Sequence, residues 1–333
     1  MNINQIRELP KVELHCHLDG SVSRELLIQL AEKDSITSFD PDKISAGTSV
    51  ESLKDYLDCF DMILPLLQSS ENIKAAAKDV IRQAAEENVA YIEIRVAPLL
   101  HQQNGLKIDE VVKAVISGVA EAEKEYGCFA NLLIIGMRHH EHAEHVRLAE
   151  YLSDNQNSTI VGFDFAGDEA AYSTEMISES IAFVTTATGL KLTLHAGECG
   201  CYQNVIDAVK SGAKRIGHGI AIKDSEEAMT ICAEEGILLE MCPTSNIQTK
   251  AIQSINEFPL RLFLEKSVPF MISTDNRTVS NTTLSDEYLL LSEAFKLTSQ
   301  EMGKINRDAI MYSFADEETK KVVLEKIASA YQE

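Results

Sequence analysis

The chain has 333 residues, of which 45% are hydrophobic and 25% are charged, a composition that can bury a large core. Its formal net charge is −22, because 52 acidic residues stand against 30 basic ones, and no cluster of Lys or Arg forms a basic patch. This charge repels nucleic acid, so we expect a small molecule as the partner instead. No stretch approaches the roughly 20 apolar residues of a membrane span, and residues 1–10 lack the apolar core of a secretory signal. The seven cysteines are scattered along the chain. We therefore expect a reduced, cytoplasmic protein.

Short apolar runs rich in Val, Ile and Leu alternate along the chain with longer segments of helical periodicity. The predicted strands are 12–16, 90–96, 132–137, 160–165, 191–195, 215–218, 237–241 and 269–274. Among the predicted helices between them are 72–87, 108–126, 175–188 and 225–235. Alternating units of this kind imply an α/β fold with parallel strands. Eight units favour a closed (β/α)₈ barrel of the TIM type, with an open doubly wound sheet as the alternative.

Two helical regions lie outside this alternation. The long gap between the first and second strands contains a helical pattern at 53–67, an insertion that we expect to cover the mouth of the barrel. The C-terminal segment is also helical in pattern and is expected to be scaffold. No repeat, low-complexity tract or Gly/Ser linker divides the sequence, which predicts a single domain over residues 1–333.

Side chains that can bind a metal lie where the predicted strands end. His15 and His17 end the first strand, and because alternate residues of a strand point to one face, both imidazoles can face a common point. His195 ends the fifth strand, His218 the sixth and Asp275 the eighth. Barrel enzymes place reactive residues at the carboxyl ends of the strands, so we expect these five side chains at one rim.

This set of residue types is typical of a catalytic metal site. Neutral imidazoles with a carboxylate and no thiolate fit a zinc ion that keeps an open position for water, and zinc lowers the pKa of that water towards neutrality. Glu198, three residues beyond His195, is close enough to handle protons. Each motif alone has a structural explanation, such as a histidine packed against a turn. Their coincidence at strand ends is what predicts a hydrolase.

The same segments resemble the adenosine deaminase family, in the family's order and with compatible spacing. The resemblance is carried by residues 14–21 (LHCHLDGS), 165–169 (FAGDE), 194–198 (LHAGE), 215–219 (RIGHG) and 273–276 (STDN). Further similar segments are 56–60 with Pro65 (the family's lid helix), 91–95 (its second strand) and 242–246 (the segment after its seventh strand). The similarity spans roughly residues 8 to 310 and implies a (β/α)₈ barrel of the amidohydrolase type.

The resemblance also implies a metal site and a reaction. It implies one zinc ion per chain, bound by His15, His17, His195 and Asp275. Glu198 would protonate the purine ring nitrogen N1, and His218 with Asp275 would orient and deprotonate the water that attacks C6, with release of ammonia. Asp164 would be a carboxylate that supports the metal site from behind.

Substrate contacts follow from the same resemblance. The resemblance implies contacts from His17, Asp19, Gly167 and Asn276. Asp19 would receive a ribose hydroxyl, and Gly167 would approach the purine through its backbone. Leu57, Phe60 and Leu64 are expected to form an apolar lid over the base. Many relatives have two successive aspartates where this chain has Asp275 and Asn276. The second residue contacts purine N7, an acceptor, and an asparagine NH₂ donates there without a shifted pKa.

The expected activity is hydrolytic deamination of adenosine and 2′-deoxyadenosine to inosine and deoxyinosine, in purine salvage. One alternative is another 6-aminopurine substrate (adenine, a nucleoside derivative or a nucleotide) processed by the same chemistry. Arg277 is the one feature next to the site motifs that could accommodate an anion, whereas Asp19 disfavours a 5′-phosphate. A distant alternative is a catalytically silent binding protein on the same fold.

Four of the nine histidines fall within seven positions, at His139, His140, His142 and His145. His142 and His145 would share one face of a helix, which makes a second metal site conceivable. A solvated loop and helix start after the third strand is the favoured explanation.

Overall fold

The computed structural model describes residues 1–47, 50 and 53–331. Its central feature is a ring of parallel strands in which each strand pairs with the next one along the chain. The strands are β1 (Lys11–His17), β2 (Val89–Val96), β3 (Phe129–Met137), β4 (Ile160–Ala166), β5 (Lys191–Ala196), β6 (Arg215–His218), β7 (Leu238–Met241) and β8 (Phe270–Ile272). The predicted strands therefore all form, with ends displaced by three residues or fewer.

The ring closes between the end of β1 and the residues that follow β8. The backbone N–H of His17 donates to the Asp275 carbonyl at 2.8 Å, and the Asp275 N–H donates to the His15 carbonyl at 3.0 Å. Every residue of β2 is buried, as expected for a strand covered by helices on one face and by the barrel interior on the other. The (β/α)₈ prediction is confirmed, and the open sheet is excluded.

Helices surround the ring. They are α1 (Ile3–Glu8), α2 (Arg24–Lys33), α3 (Leu53–Leu57), α4 (Phe60–Ile63), α5 (Ser70–Glu86), α6 (Ile108–Tyr126), α7 (His142–Asp154), α8 (Ser178–Thr188), α9 (Tyr202–Lys210), α10 (Glu226–Glu234), α11 (Pro243–Gln248), α12 (Leu260–Glu265), α13 (Leu284–Phe295), α14 (Ser299–Tyr312) and α15 (Glu317–Tyr331). None of the helices in the described residues has both the length and the apolarity that crossing a membrane requires. All seven cysteines are free thiols.

The ends of the helices follow local chemistry. The Ser69 hydroxyl accepts the Asn72 N–H at 3.3 Å and so begins α5 with a side-chain cap. The chain leaves α6 through Gly127, whose φ of 70° lies in the left-handed region that glycine adopts without a steric penalty. The predicted helix at 108–126 has the observed bounds, whereas the one predicted at 175–188 begins only at Ser178.

The insertion predicted as helical at 53–67 is helical but broken. It consists of α3, α4 and a 3₁₀ turn over Leu64–Leu66. Pro65 lies in that turn and has no N–H to continue the hydrogen-bonding ladder of α4. The insertion therefore consists of short helical segments rather than one continuous helix.

A buried ion cluster holds β1, the end of α5 and the segment after β8 together. The Arg277 guanidinium, only 3% exposed, bonds the carboxylates of Glu13 and Glu87. Glu87 also accepts the Ser285 N–H at 2.7 Å. Burying two carboxylates is costly unless a cation pairs with them, so Arg277 has a structural role in this cluster.

Replacing Arg277 with Met should lower the free energy of unfolding by about 3–5 kcal/mol, because both carboxylates stay buried without their cation. Urea unfolding followed by circular dichroism measures the change. Arg24→Met is the matched control: Arg24 is 46% exposed and pairs with Asp42 at the surface, so its loss should cost no more than about 1 kcal/mol. Equal stability of the two variants would contradict the structural role of Arg277.

Candidate metal and substrate site

Three imidazoles and one carboxylate converge at the carboxyl end of the barrel. His15 and His17 come from β1, His195 from β5, and Asp275 from the residues after β8; one ligand atom of each lies within 4.8 Å of all the others. Nε2 of His17 lies 3.2 Å from Nε2 of His195. Oδ1 of Asp275 lies 3.3 Å from Nε2 of both His15 and His17. Ligand atoms at about 2.0–2.1 Å from one zinc ion stand roughly 3.3 Å apart in a tetrahedron, so the spacing fits a metal ion of this size.

Two buried carboxylates orient the imidazoles of His15 and His195. Nδ1 of His15 lies 3.1 Å from Glu240, and Nδ1 of His195 lies 2.8 Å from Asp164. An ionised carboxylate only accepts, so each Nδ1 carries the proton and each Nε2 keeps its lone pair for a metal. Nε2 of His15 is buried without a hydrogen-bonding partner, as expected for a ligand atom. Asp164 thus lies where the resemblance predicts.

One guanidinium joins these two carboxylates. Arg95, fully buried, donates to Asp164 at 2.6 Å and also bonds Glu240. On the far side of Glu240, Arg215 contributes its Nε at 2.7 Å and also bonds Glu93. These charges lie at the bottom of the site as an alternating chain, so each carboxylate has a cation beside it.

The protonation states suit metal binding. Burial, followed by the nearby Arg95, lowers the pKa of His15 to about 4, so its imidazole is neutral at physiological pH. Burial also holds the pKa of His17 well below its usual range. Burial alone would raise the pKa of Asp275, but the imidazoles of His15 and His17 beside it hold it well below its usual range. Burial would lower the pKa of His195, but the charge of Asp164 beside it raises that pKa above its usual value. His15, His17 and Asp275 therefore already have the forms that bind metals, and His195 would lose its Nε2 proton as a metal binds.

Glu198 and His218 lie beside the ligand group. Glu198 Oε2 is 3.6 Å from His218 Nε2, and the Glu198 side chain is 11% exposed. Burial raises the pKa of Glu198, although the neighbouring His218 opposes the shift. A carboxyl whose pKa is raised in this way can donate a proton near neutral pH. Asn246 Nδ2 lies 3.1 Å from His218 Nδ1, which leaves Nε2 facing Glu198.

Two site residues have a backbone conformation that is rare for non-glycine residues. His218 and Asp275 have φ of 62° and 64°, in the left-handed region. Asp275 is held there by the hydrogen bonds that close the barrel and by Ser245, whose hydroxyl donates to Oδ2 at 2.7 Å. Such strain persists where the surroundings fix the geometry, and it occurs often at functional sites.

A cavity of about 270 Å³ opens at this rim. Its wall contains these predicted residues: His17, Asp19, Leu57, Phe60, Leu64, Gly167, His195, Glu198, His218, Asp275 and Asn276. The described part of the wall is completed by Tyr56, Asp61, Ala97, Leu100, Ile135, Met137, His139 and Ala166, and it contains no lysine or arginine. His15 and Asp164 are fully buried behind it. The insertion thus contributes apolar side chains (Leu57, Phe60 and Leu64) together with Tyr56 and Asp61, and the strand ends contribute carboxylates and imidazoles.

The residues predicted to bind substrate all line the cavity. Gly167 has φ of 114°, which requires glycine, so no side chain separates its backbone from the cavity. Asp19 is 8% exposed, and one of its oxygens accepts the Gly20 N–H at 3.0 Å. The Asn276 amide nitrogen donates to the Tyr56 hydroxyl at 2.9 Å, and a side chain on Gly20 would collide with the Asn276 oxygen. Tyr56 therefore holds the amide of Asn276 at the cavity wall.

Two sequence interpretations need correction. Arg277 does not reach the cavity, because both ends of its guanidinium are paired with Glu13 and Glu87, so it cannot receive an anion there. His145 is not solvated: it is buried, with Nδ1 2.9 Å from the Ser180 hydroxyl and Nε2 2.9 Å from the Met137 carbonyl. His142 contacts the same Ser180 hydroxyl at 2.8 Å. Within the described residues, the ligand group above is the single cluster of metal-binding side chains, and it excludes these histidines.

Some important residues escaped sequence reasoning, among them Glu240, Asn246 and Ser245. A signal existed for Glu240, since a carboxylate inside an otherwise apolar strand must be paired. Glu93 and Arg95 show the same signal at alternate positions of β2. Which buried charge pairs with which depends on strands far apart in sequence.

Comparisons with known proteins agree with this geometry. A sequence model of the family described as adenosine deaminase matches residues 10–330. The chain is 42% identical to an adenosine deaminase of Enterococcus faecalis over 99% of both chains, and 41% identical to one of Streptococcus agalactiae over 98% of this chain and 97% of that protein.

Two solved structures have the same fold. The chain matches the N6-methyl-AMP deaminase of Arabidopsis thaliana with a TM-score of 0.85 and 27% identity over 99% of both chains. It matches an adenine deaminase of Arthrobacter aurescens with a TM-score of 0.90 and 22% identity over 98% of this chain and 100% of that chain. At that identity the second match supports the fold alone.

Replacing Asp164 with Asn should weaken metal binding about 10- to 100-fold, because the amide cannot hold the Nδ1–H of His195 as a carboxylate does. Competition with a chromophoric chelator measures the affinity. Asp308→Asn is the control, since Asp308 pairs only with Lys304 on the surface of α14. The assignment of Asp164 is wrong if both variants bind metal as tightly as the unmodified protein.

Proposed function

The chain belongs to the adenosine deaminase family, and on that basis we propose that the cavity at the barrel rim hydrolyses adenosine to inosine and ammonia with the help of one zinc ion. It is an enzyme that deaminates adenosine. The observation that carries the site assignment is the convergence of three Nε2 atoms and one carboxylate beside Glu198 and His218.

The donor set supports zinc. Three neutral imidazoles and a carboxylate, without thiolates, suit a catalytic zinc better than Ca²⁺ or Mg²⁺, which prefer oxygen ligands. His15, His17, His195 and Asp275 would hold the ion. Zinc in such a site makes water a competent nucleophile near neutral pH.

The side chains supply the proton transfers of the first half-reaction. Glu198 gives its proton to N1 of the purine, and the electron pair of the N1–C6 double bond moves to N1 as the water oxygen bonds to C6. The water releases a proton to Nε2 of His218, with Asp275 beside it. To act as a base, His218 must carry its remaining proton on Nδ1, so that Nε2 is free to accept. The side-chain oxygen of Asn246 has no other hydrogen-bonding partner among the described residues. When the amide is turned over, this oxygen can accept the Nδ1 proton.

The second half-reaction returns both groups to their starting states. The amino group on C6 takes the proton from His218, and the C6–N6 bond breaks to release ammonia. The hydroxyl on C6 becomes a carbonyl and gives up its proton, which restores Glu198. The distance of 3.6 Å between Glu198 Oε2 and His218 Nε2 keeps both groups close to the reacting carbon.

Recognition of the nucleoside uses the remaining wall residues. The Gly167 backbone contacts the purine, Asn276 donates to N7, and Asp19 accepts a ribose hydroxyl, with His17 nearby. The apolar side chains that close over the base are Leu57, Phe60 and Leu64. Leu57 is 38% exposed at the cavity wall.

The wall favours a nucleoside over a nucleotide. The described wall has no lysine or arginine, and Asp19 and Asp61 carry carboxylates where a 5′-phosphate would approach. The similarity to an N6-methyl-AMP deaminase therefore does not extend to its nucleotide substrate. Asp19 also argues against free adenine, which has no hydroxyl to offer this buried carboxylate.

Three further expectations are retained as proposals. Residues 1–333 act as one domain, which the single ring from Lys11 to Ile272 supports. The location is cytoplasmic, with the free thiols of all seven cysteines in agreement. A silent binding protein is disfavoured, because no ligand or proton-handling group of the site is missing.

Initial rates on a panel of adenosine, 2′-deoxyadenosine, adenine and AMP test the substrate. The loss of absorbance as the 6-amino group is replaced gives the rate. We expect kcat/KM to be highest for the two nucleosides and at least about 100-fold lower for AMP, which corresponds to roughly 3 kcal/mol of charge repulsion and missing contacts. A preference for AMP or adenine would overturn the nucleoside assignment.

Glu198→Gln should retain the metal and lose turnover by about 10²–10⁴-fold, because the amide cannot donate the proton that N1 needs. Metal analysis and steady-state kinetics on the same preparation separate the two effects. Glu234→Gln, an exposed change near the end of α10, is the control and should behave as the unmodified enzyme. Normal turnover in Glu198→Gln would exclude the proposed proton donor.

A further inference from the structure

Glu169 is a buried carboxylate for which the reaction above has no use. It lies in the loop after β4, two residues beyond Gly167, and is 2% exposed. Its side chain leaves its own loop and reaches the loop after β5, the segment that carries Glu198.

The contact consists of three hydrogen bonds from successive backbone amides. Oε1 of Glu169 accepts the Gly197 N–H at 2.6 Å, and Oε2 accepts the N–H groups of Glu198 at 2.9 Å and Cys199 at 3.1 Å. Both oxygens are used, and an ionised carboxylate is the side chain that can accept on both. A glutamine could accept on one oxygen only, and its NH₂ would face an N–H.

A buried cation also joins the loop after β4 to the end of β5. Arg138, 1% exposed, donates to the Tyr172 carbonyl of the first loop at 2.6 Å and to the His195 carbonyl at 2.6 Å. Between these contacts Gly197 has φ of 82°, and a side chain there would meet Val205 at 2.8 Å. The backbone that precedes Glu198 therefore has little freedom as long as its amides are held.

We propose that Glu169 is a positioning residue that holds Glu198 where its carboxyl can reach N1 of the purine. The inference rests on the proposed function, because it assigns Glu198 as the proton donor. Glu169 does not itself line the cavity and acts through the backbone of residues 197–199. Proton transfer depends on distances of about 2.6–3.2 Å, so a shift of about 1 Å in this loop is expected to cost roughly 100-fold in rate.

Two nucleoside analogues separate this role from a general effect on the fold. Purine riboside has no group to lose at C6, so water can add to it only as N1 receives the proton from Glu198. 1-Deazaadenosine has a C–H in place of N1 and binds without that proton. The ratio of their inhibition constants thus reports on the Glu198 carboxyl, whereas a loss of folded protein changes both constants alike.

In Glu169→Gln we expect the affinity for purine riboside to fall about 10- to 100-fold and that for 1-deazaadenosine to change less than about threefold. Glu169→Asp, which keeps the charge but shortens the reach, should show the same selective loss and keeps the test usable if the glutamine variant does not fold. Asp168→Asn is the matched control: Asp168 is exposed and accepts the N–H groups of Ala170 and Ala171 within its own loop. The control should leave the ratio of the two constants unchanged.

A double-mutant cycle completes the test. If Glu169 acts through Glu198, adding Glu169→Gln to Glu198→Gln should lower kcat/KM by less than about threefold, because the proton donor is already missing. An equal loss of affinity for both analogues, or a full additional loss in the double variant, would overturn the positioning role. Failure of the unmodified enzyme to prefer purine riboside over 1-deazaadenosine would instead overturn the assignment of Glu198 as the proton donor.

Discussion

The site depends on one buried guanidinium, that of Arg95, which lies between the carboxylates of Asp164 and Glu240. Each carboxylate lies beside Nδ1 of one imidazole, of His195 and His15 respectively, and Nε2 of that ring faces the ligand group. Neither carboxylate could stay ionised in the barrel interior without a cation. The orientation of these two imidazoles, and with it the proposed metal site, therefore depends on the ion pairs of Arg95 with Asp164 and Glu240.

The barrel supplies the rest of the geometry through its closure. The hydrogen bonds between the end of β1 and Asp275 complete the ring, and they also hold Asp275 in its left-handed conformation beside His15 and His17. Glu169 joins the loop after β4 to the loop after β5, and Arg138 joins it to the end of β5, so the segments that carry Gly167 and Glu198 are held to each other. The broken insertion contributes Leu57, Phe60 and Leu64 to the wall. Hydrogen bonds between strand ends and loops thus hold the side of the cavity that carries the ligand group, and the insertion forms another part of the wall.

Much of this was predictable from sequence because the relevant patterns are local. The alternation of His15 and His17 in a strand, and the positions of His195, His218 and Asp275 at strand ends, place all five side chains at one rim once a barrel is assumed. The break at Pro65 was not predicted, since the helical pattern runs through it, and the solvation of His145 was predicted wrongly because its partner Ser180 lies on another helix. Arg277 had no local sign that Glu13 and Glu87 would pair with it. Contacts between residues distant in sequence, such as those of Glu240 and Glu169, require the register of the whole barrel.

The central claim is that one metal ion, held by the convergent imidazoles and Asp275, is required for adenosine deamination. Stepwise return of zinc to metal-free protein, with the deamination rate recorded after each addition, tests it most directly. The account predicts a rate near zero without metal and a linear rise that stops at one zinc per chain. Full activity in the metal-free protein, or a rise that continues to a second equivalent, would contradict it.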